Sequence, residues 1–166
     1  MKGSLLRVAG AVMMLLALTS CSRGEASDAA VLTRGDVEAL VKRVDTAGQA
    51  RDVDALEDFL AADVRIELTI SVNGEVQTLR MDRDEYLQQS REGLEQASDY
   101  ELTPGVPTIT IAADGKSAEV KQASTERMTM MGQRLVGRSQ SVSRVQATAD
   151  GPKYVWIKAS TTMGIE

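Results

Sequence analysis

The chain has no histidine and one cysteine, Cys21, in 166 residues. The missing histidine removes the commonest metal ligand and the usual general base near neutral pH. Any acid–base chemistry must fall to carboxylates, tyrosine, lysine or serine. A lone cysteine excludes an internal disulfide, and an exported protein with an unexplained free thiol is unusual. The apolar run Val8–Leu18 reaches only about half of the roughly 20 residues that a spanning helix needs. Basic charge is also scarce: 19 Lys and Arg stand against 24 Asp and Glu, a net charge of −5. That balance argues against nucleic acid, whose binding rests on phosphate neutralisation, and offers no polybasic segment to anionic lipid.

What is present begins with an export signal. Lys2 and Arg7 form a short basic start, Val8–Leu18 an apolar stretch, and small residues precede Cys21. Leu18-Thr19-Ser20-Cys21 resembles the lipobox of bacterial lipoproteins, which implies cleavage between Ser20 and Cys21 and diacylglycerol and palmitate on Cys21. One acyl chain binds a bilayer marginally, whereas two or three hold a soluble domain there. Ser22 follows the cysteine, where an aspartate is the usual inner-membrane retention signal of Gram-negative lipoproteins. The resemblance therefore implies an outer-membrane lipoprotein facing the periplasm.

The expected organisation is a signal peptide over 1–20, a flexible tether over 21–30 and one domain over 31–166. When the signal leaves with Lys2 and Arg7, the 19 basic residues fall to 17 against an unchanged 24 acidic, a net charge of −7. Ser22–Ala30 is small, polar and aperiodic, as a tether should be. The remainder is long enough to bury a core without metal or disulfide.

Thr33-Arg34-Gly35-Asp36 has the form of a capping box, and Val37, Leu40, Val41 and Val44 follow at helical spacing. Asp52 can cap a shorter helix carrying Leu56, Phe59 and Leu60. Val64, Ile66, Leu68 and Ile70 alternate with polar residues, the signature of a half-buried strand, and Asn73-Gly74 returns the chain as a hairpin. Asp82 and Glu85 mark a third helix with Tyr86, Leu87, Ser90 and Leu94 on one face. Strands follow from Tyr100, interrupted at Pro104–Pro107, with long ones over Ser117–Met130, Arg134–Ala149 and Lys153–Thr162.

That order, with Ala50-Arg51-Asp52-Val53-Asp54-Ala55-Leu56, Leu60-Ala61-Ala62-Asp63-Val64 and Asp150-Gly151-Pro152-Lys153-Tyr154-Val155-Trp156, resembles the nuclear transport factor 2-like (NTF2-like) superfamily, including its SnoaL-like and ketosteroid isomerase-like members. The resemblance implies an α+β cone with three N-terminal helices packed on a curved antiparallel sheet, and a pocket at the open end. It places Glu67, Tyr86, Glu126, Arg138 and Trp156 within reach of that pocket. Homodimerisation through the sheet face, common among such proteins, is a further expectation.

At the position where ketosteroid isomerases carry an acidic base this chain has Leu68, with Glu67 one residue early and so on the opposite strand face. Met128, Met130 and Met131 lie near a hairpin tip, the first two on one strand face, and thioethers suit Cu(I), but no histidine or free cysteine assists them; they read as flexible apolar packing or a contact for a partner. No phosphate loop, nucleophile elbow or metal spacing occurs. Leu135, Gly137, Ser139, Ser141, Ser143 and Val145 put small side chains on one strand face, where a helix or ligand can approach closely.

The leading expectation is a lipid-anchored, non-catalytic domain, without cofactor or metal, that binds a small apolar ligand or an envelope protein. The alternatives are a SnoaL-like lyase, isomerase or cyclase using a pocket carboxylate, and a structural subunit of an envelope complex. Replacing Cys21 with serine should yield an unprocessed precursor lacking lipid, read by mass spectrometry of the membrane fraction; a correctly processed Cys21→Ser protein would refute the lipobox.

Overall fold

The computed structural model describes residues 31–166; the signal, Cys21 and the tether lie outside the described residues. Helix α1 spans Arg34–Gln49, opened by Thr33, whose hydroxyl accepts from the Asp36 N–H while the Asp36 carboxylate accepts from the Thr33 N–H. That reciprocal pair satisfies two donors that a helix start leaves open. Helix α2 is one short turn, Val53–Glu57, capped by Asp52. Helix α3, Arg83–Gln96, repeats the capping box with Asp82 and Glu85.

Strands β1 (Leu60–Val72), β2 (Glu75–Met81), β3 (Ala97–Pro104), β4 (Thr108–Ile111), β5 (Ser117–Met130), β6 (Gln133–Thr148) and β7 (Gly151–Ile165) form one sheet. Its order is β2-β1-β7-β6-β5-β3, and β4 pairs with the first part of β5 beyond β3. The sheet is open, since its outer strands β2 and β3 do not meet. Of the three hairpins that turn on two residues, two place both in the left-handed region: Asn73 and Gly74 at φ 52° and 86°, and Met131 and Gly132 at 50° and 78°. Paired positive φ values match the right-handed twist of the flanking strands, which is why glycine takes the second place in both.

The expectation of an antiparallel sheet meets one exception. β1 and β7 run parallel, with Ile66 opposite Ile157 and Val72 opposite Met163. Helix α3 and strands β3 to β6 intervene in sequence, so the amino-terminal hairpin joins the meander side by side instead of by a tight turn.

The core lies between the helices and one face of the sheet. Val37, Leu40 and Val41 of α1 meet Val64 and Ile66 of β1, Val120 of β5, Val145 of β6 and Tyr154 of β7. The largest side chains with essentially no exposure are Leu40, Val37, Val64 and Val145. Truncating such a residue removes transfer energy and leaves a void. Leu40→Ala should therefore cost about 2–5 kcal/mol in urea unfolding; a cost below about 1 kcal/mol would show that α1 is not the core helix described here.

Candidate active site: a cavity between the helices and the sheet

Above this core the helices and sheet diverge and enclose a cavity of about 430 Å³, within the range of small-molecule sites. Its apolar wall comes from Val44 of α1, Leu56 of α2, Phe59 in the turn before β1, Leu68 and Ile70 of β1, and Ile157 of β7. Its floor is the small-residue stripe of β6, Ser139, Ser141 and Ser143. These hydroxyls are already engaged: Ser139 bonds Thr161 Oγ1 at 2.7 Å, Ser141 donates to the Gln122 carbonyl at 3.2 Å, and Ser143 to the Val120 carbonyl at 3.4 Å. Ser141 and Ser143 therefore supply a small surface without an unpaired donor, while one O–H of the Ser139–Thr161 pair stays free to meet a ligand.

Two acidic groups face the space. Asp45, on α1, accepts from Gln122 Nε2 at 3.0 Å, and the same amide donates to the Gly105 carbonyl at 3.0 Å. Burial pushes the Asp45 carboxyl above its ordinary range, and the Gln122 bond opposes the shift only in part. Glu126, on β5 between Leu102 of β3 and Gly137 of β6, is pushed up by burial alone, with no bond or cation among the described residues to counter it. Tyr86 of α3 also lines the cavity; burial first and the nearby Glu126 second raise its hydroxyl, while a bond to Ser90 opposes them. Tyr154 is raised by burial and then by Asp45. The polar equipment thus falls into two carboxylate–tyrosine neighbourhoods, Asp45 with Tyr154 and Glu126 with Tyr86.

A second hollow of about 330 Å³ shares Asp45, Tyr86 and Glu126 with the first and extends past Tyr100, Met128 and Met130. The methionines lie there as cavity lining at the far end of β5. Among the described residues no group of three or more His, Cys, Asp or Glu is disposed to hold a metal ion.

Of the five residues expected at the pocket, Tyr86 and Glu126 line it and the other three face away. Glu67 lies on the outer face of β1, held by Lys158 Nζ at 2.9 Å and Arg80 Nε at 3.1 Å, and these partners, Lys158 first, hold its carboxyl below the usual range. Arg138 is exposed beside the inward Gly137 and Ser139, on the outward half of the β6 alternation. Trp156 is displaced by a bulge. Tyr154 pairs with Val145 but Trp156 with Arg144, so Val155 is the extra residue and the alternation reverses. Tyr154 then faces in, Trp156 out and Ile157 in.

Asp45 is the residue that sequence reasoning missed. Its signal was present: it lies four residues after Val41 and one after Val44, at the border of the apolar stripe of α1. An acid at that position is costly unless something meets it.

No family model matches the chain, and no curated protein matches it in sequence. Solved structures do match in shape. An NTF2-like protein from Cytophaga hutchinsonii is 18% identical, covers 78% of this chain and 98% of its own, and superposes with a TM-score of 0.58. A proposed scytalone dehydratase from Novosphingobium aromaticivorans is 11% identical with a TM-score of 0.64, covering 80% and 86%. LinA is 9% identical with a TM-score of 0.61, covering 77% and 84%. At these identities the likeness is one of fold: the chain has the mixed α+β architecture, with a curved and unclosed sheet, of the NTF2-like proteins.

An ionised carboxylate penalised by burial destabilises the folded state once pH exceeds its unfolded pKa. Glu126→Gln should therefore raise the melting temperature at pH 7, and the gain should shrink as pH falls towards and below the ordinary glutamate value of 4.5. Melting curves across pH check this; a Glu126→Gln protein less stable at pH 7 would show that the carboxylate is compensated.

Proposed function

We propose that the domain binds a small molecule with an apolar body and at least one hydrogen-bond donor, and that lipid on Cys21 holds it at the outer membrane on the periplasmic side. The single observation that carries the binding reading is the cavity itself: an apolar wall, a serine floor hydrogen-bonded within the sheet, and a Glu126 carboxylate with no partner among the described residues. Glu126 is half-buried, and its carboxylate keeps contact with the open side of the cavity, so it is an acceptor available to a donor on a ligand. An N–H or O–H on the ligand meets it and sets the ligand's orientation, while the wall supplies area. The support for the anchor is the segment Leu18-Thr19-Ser20-Cys21 and the polar stretch after it.

A second reading, acid–base catalysis of the lyase or isomerase type, is favoured by one specific feature. Asp45 and Glu126 both have raised proton affinity and lie beside tyrosines in one cavity. A carboxylate shifted towards neutral pH is a stronger base, and a neighbouring hydroxyl can stabilise charge that develops on the substrate. Binding alone needs one such acceptor and not a second carboxylate–tyrosine pair.

The neutral probe N-phenyl-1-naphthylamine, an apolar body with one N–H, should bind with a rise in fluorescence. Ser141→Phe, which fills the floor, should abolish that rise, whereas Arg138→Ser on the outer face should leave it unchanged. Binding that survives Ser141→Phe would place the probe elsewhere and remove the support for the cavity. Turnover of a candidate substrate that is lost in both Glu126→Gln and Asp45→Asn, with probe binding retained, would decide for catalysis.

A further inference from the structure

The outer face of the sheet differs in charge from the rest of the domain. Across its middle run two rungs. In one, Arg65 of β1, Trp156 of β7 and Arg144 of β6 are ladder neighbours; in the next, Arg80, Glu67 and Lys158 are. The acids on these rungs are engaged: Glu67 by Lys158 and Arg80, and Glu119, next to Arg144 on β5, by Lys121 at 2.9 Å. Asp63 and Asp82 line the same open groove as Arg65 and Trp156, and Asp82 is taken up by the Glu85 N–H as the cap of α3, so Asp63 is the acid that offsets part of the charge there. The guanidiniums of Arg65 and Arg144 are exposed and have no hydrogen bond or ion pair with any described residue, and Arg138, further along β6, is the same. The acidic excess gathers instead on the helices, at Asp54 and Glu57 of α2 and Asp84, Glu85, Glu92 and Glu95 of α3. A domain that is acidic overall therefore presents one basic face, and the half-buried Trp156, the chain's single tryptophan, lies at its centre.

The place where the chain enters the domain narrows what this face meets. The Leu32 N–H donates to the Gly115 carbonyl at 2.7 Å, and the Ala147 N–H to the Lys116 carbonyl at 3.2 Å. The first described residues thus lie beside the β4–β5 turn. From there the β5–β6–β7 ladder reaches Glu119, Arg144 and Trp156 within two residues of its start at Ser117 and Gln146. Residues 22–30 span at most about 30 Å, so a lipid on Cys21 keeps this end of the sheet close to the bilayer.

We propose that the Arg65–Trp156–Arg144 face docks on anionic lipid headgroups and orients the anchored domain on the membrane. Arginine meets phosphate by charge and by paired N–H donors. An indole beside it suits the headgroup layer, where tryptophan is enriched because its ring is apolar and its N–H needs a polar partner. The acidic helices are repelled by the same surface, so the domain rests sheet-down with its helices towards solvent. The sequence alone suggests no such surface, because its basic residues come from three separate strands and only the ladder brings them together. The proposal rests on the anchoring read at Cys21, and its test separates the two.

The lipoprotein, purified from its own membranes, is reconstituted into vesicles of neutral phosphatidylcholine, or of phosphatidylcholine with phosphatidylglycerol, each with and without brominated acyl chains. Flotation with the neutral vesicles reads the anchor alone. Trp156 fluorescence, which has no other indole to confuse it, reads the docking. The expected result is a blue shift and bromine quenching of Trp156 on the phosphatidylglycerol vesicles only, both lost at high salt and in R65E/R144E, while flotation persists. Unchanged emission on the anionic vesicles overturns the docking while leaving the anchor intact. Emission already blue-shifted in detergent at twice the chain mass overturns it in favour of a second copy on this face, and salt-insensitive quenching overturns the electrostatic basis. If the protein fails to float on neutral vesicles, the anchor falls; docking then stands or falls on whether the anionic vesicles still shift Trp156 in an arginine-dependent way.

Discussion

The space inside the domain depends on one constraint, the registration of the small-residue stripe of β6 with the inward faces of β5 and β7. Ser139 lies opposite Ser124 and Thr161, and Ser141 opposite Gln122 and Ala159. Slipping β6 by one residue would turn Arg138, Gln140 and Arg144 inward, and slipping β5 would turn Glu126 outward, because side chains alternate with a period of two. The stripe is held by hydrogen bonds within the sheet, so it closes the bottom of the cavity without filling it. Everything above it, Val44 and Asp45 on α1, Tyr86 on α3 and Glu126 on β5, takes its relation to the cavity from that floor.

Two consequences run in opposite directions. Inward, partial burial weakens the solvation of Asp45 and Glu126, which raises their proton affinity, opposed in part at Asp45 by the Gln122 amide. The site is thus less stable than an apolar core of the same shape would be, a cost usual where function is built in. Outward, the same alternation delivers the arginines to solvent, where the absence of acidic partners costs little. One sheet therefore carries a cavity-lining face and a charged face with almost no thickness between them. A single bulge at Val155 assigns the aromatics, Tyr154 to the first and Trp156 to the second.

Much of the fold was legible because its determinants are local. The capping boxes at Thr33–Asp36 and Asp82–Glu85, the glycine-bearing turns at 73–74 and 131–132, and the alternation from Val64 to Ile70 each state their structure within a few residues. The parallel pairing of β1 with β7 was not legible, since no local pattern records which distant strand lies beside another. At the site, Tyr86 and Glu126 followed from the resemblance, whereas Glu67, Arg138 and Trp156 face away. For Glu67 and Arg138 the alternation already gave the outward face, and the resemblance alone had argued otherwise. For Trp156 the inserted Val155 broke a count that assumes no bulge. Asp45 needed the depth of the helix stripe to be known: a charge at its border reads as solvated until the cavity above it is seen.

If the space between α1, α3 and β6 is a binding site, native mass spectrometry of the protein isolated from its own membranes will show it. The expected spectrum carries a small-molecule adduct, of a size that about 430 Å³ can hold, present on the wild-type chain and absent when Ser141 is replaced by phenylalanine. An adduct retained by that variant, or a wild-type protein that carries only the mass of its lipidated chain, would contradict a binding site there.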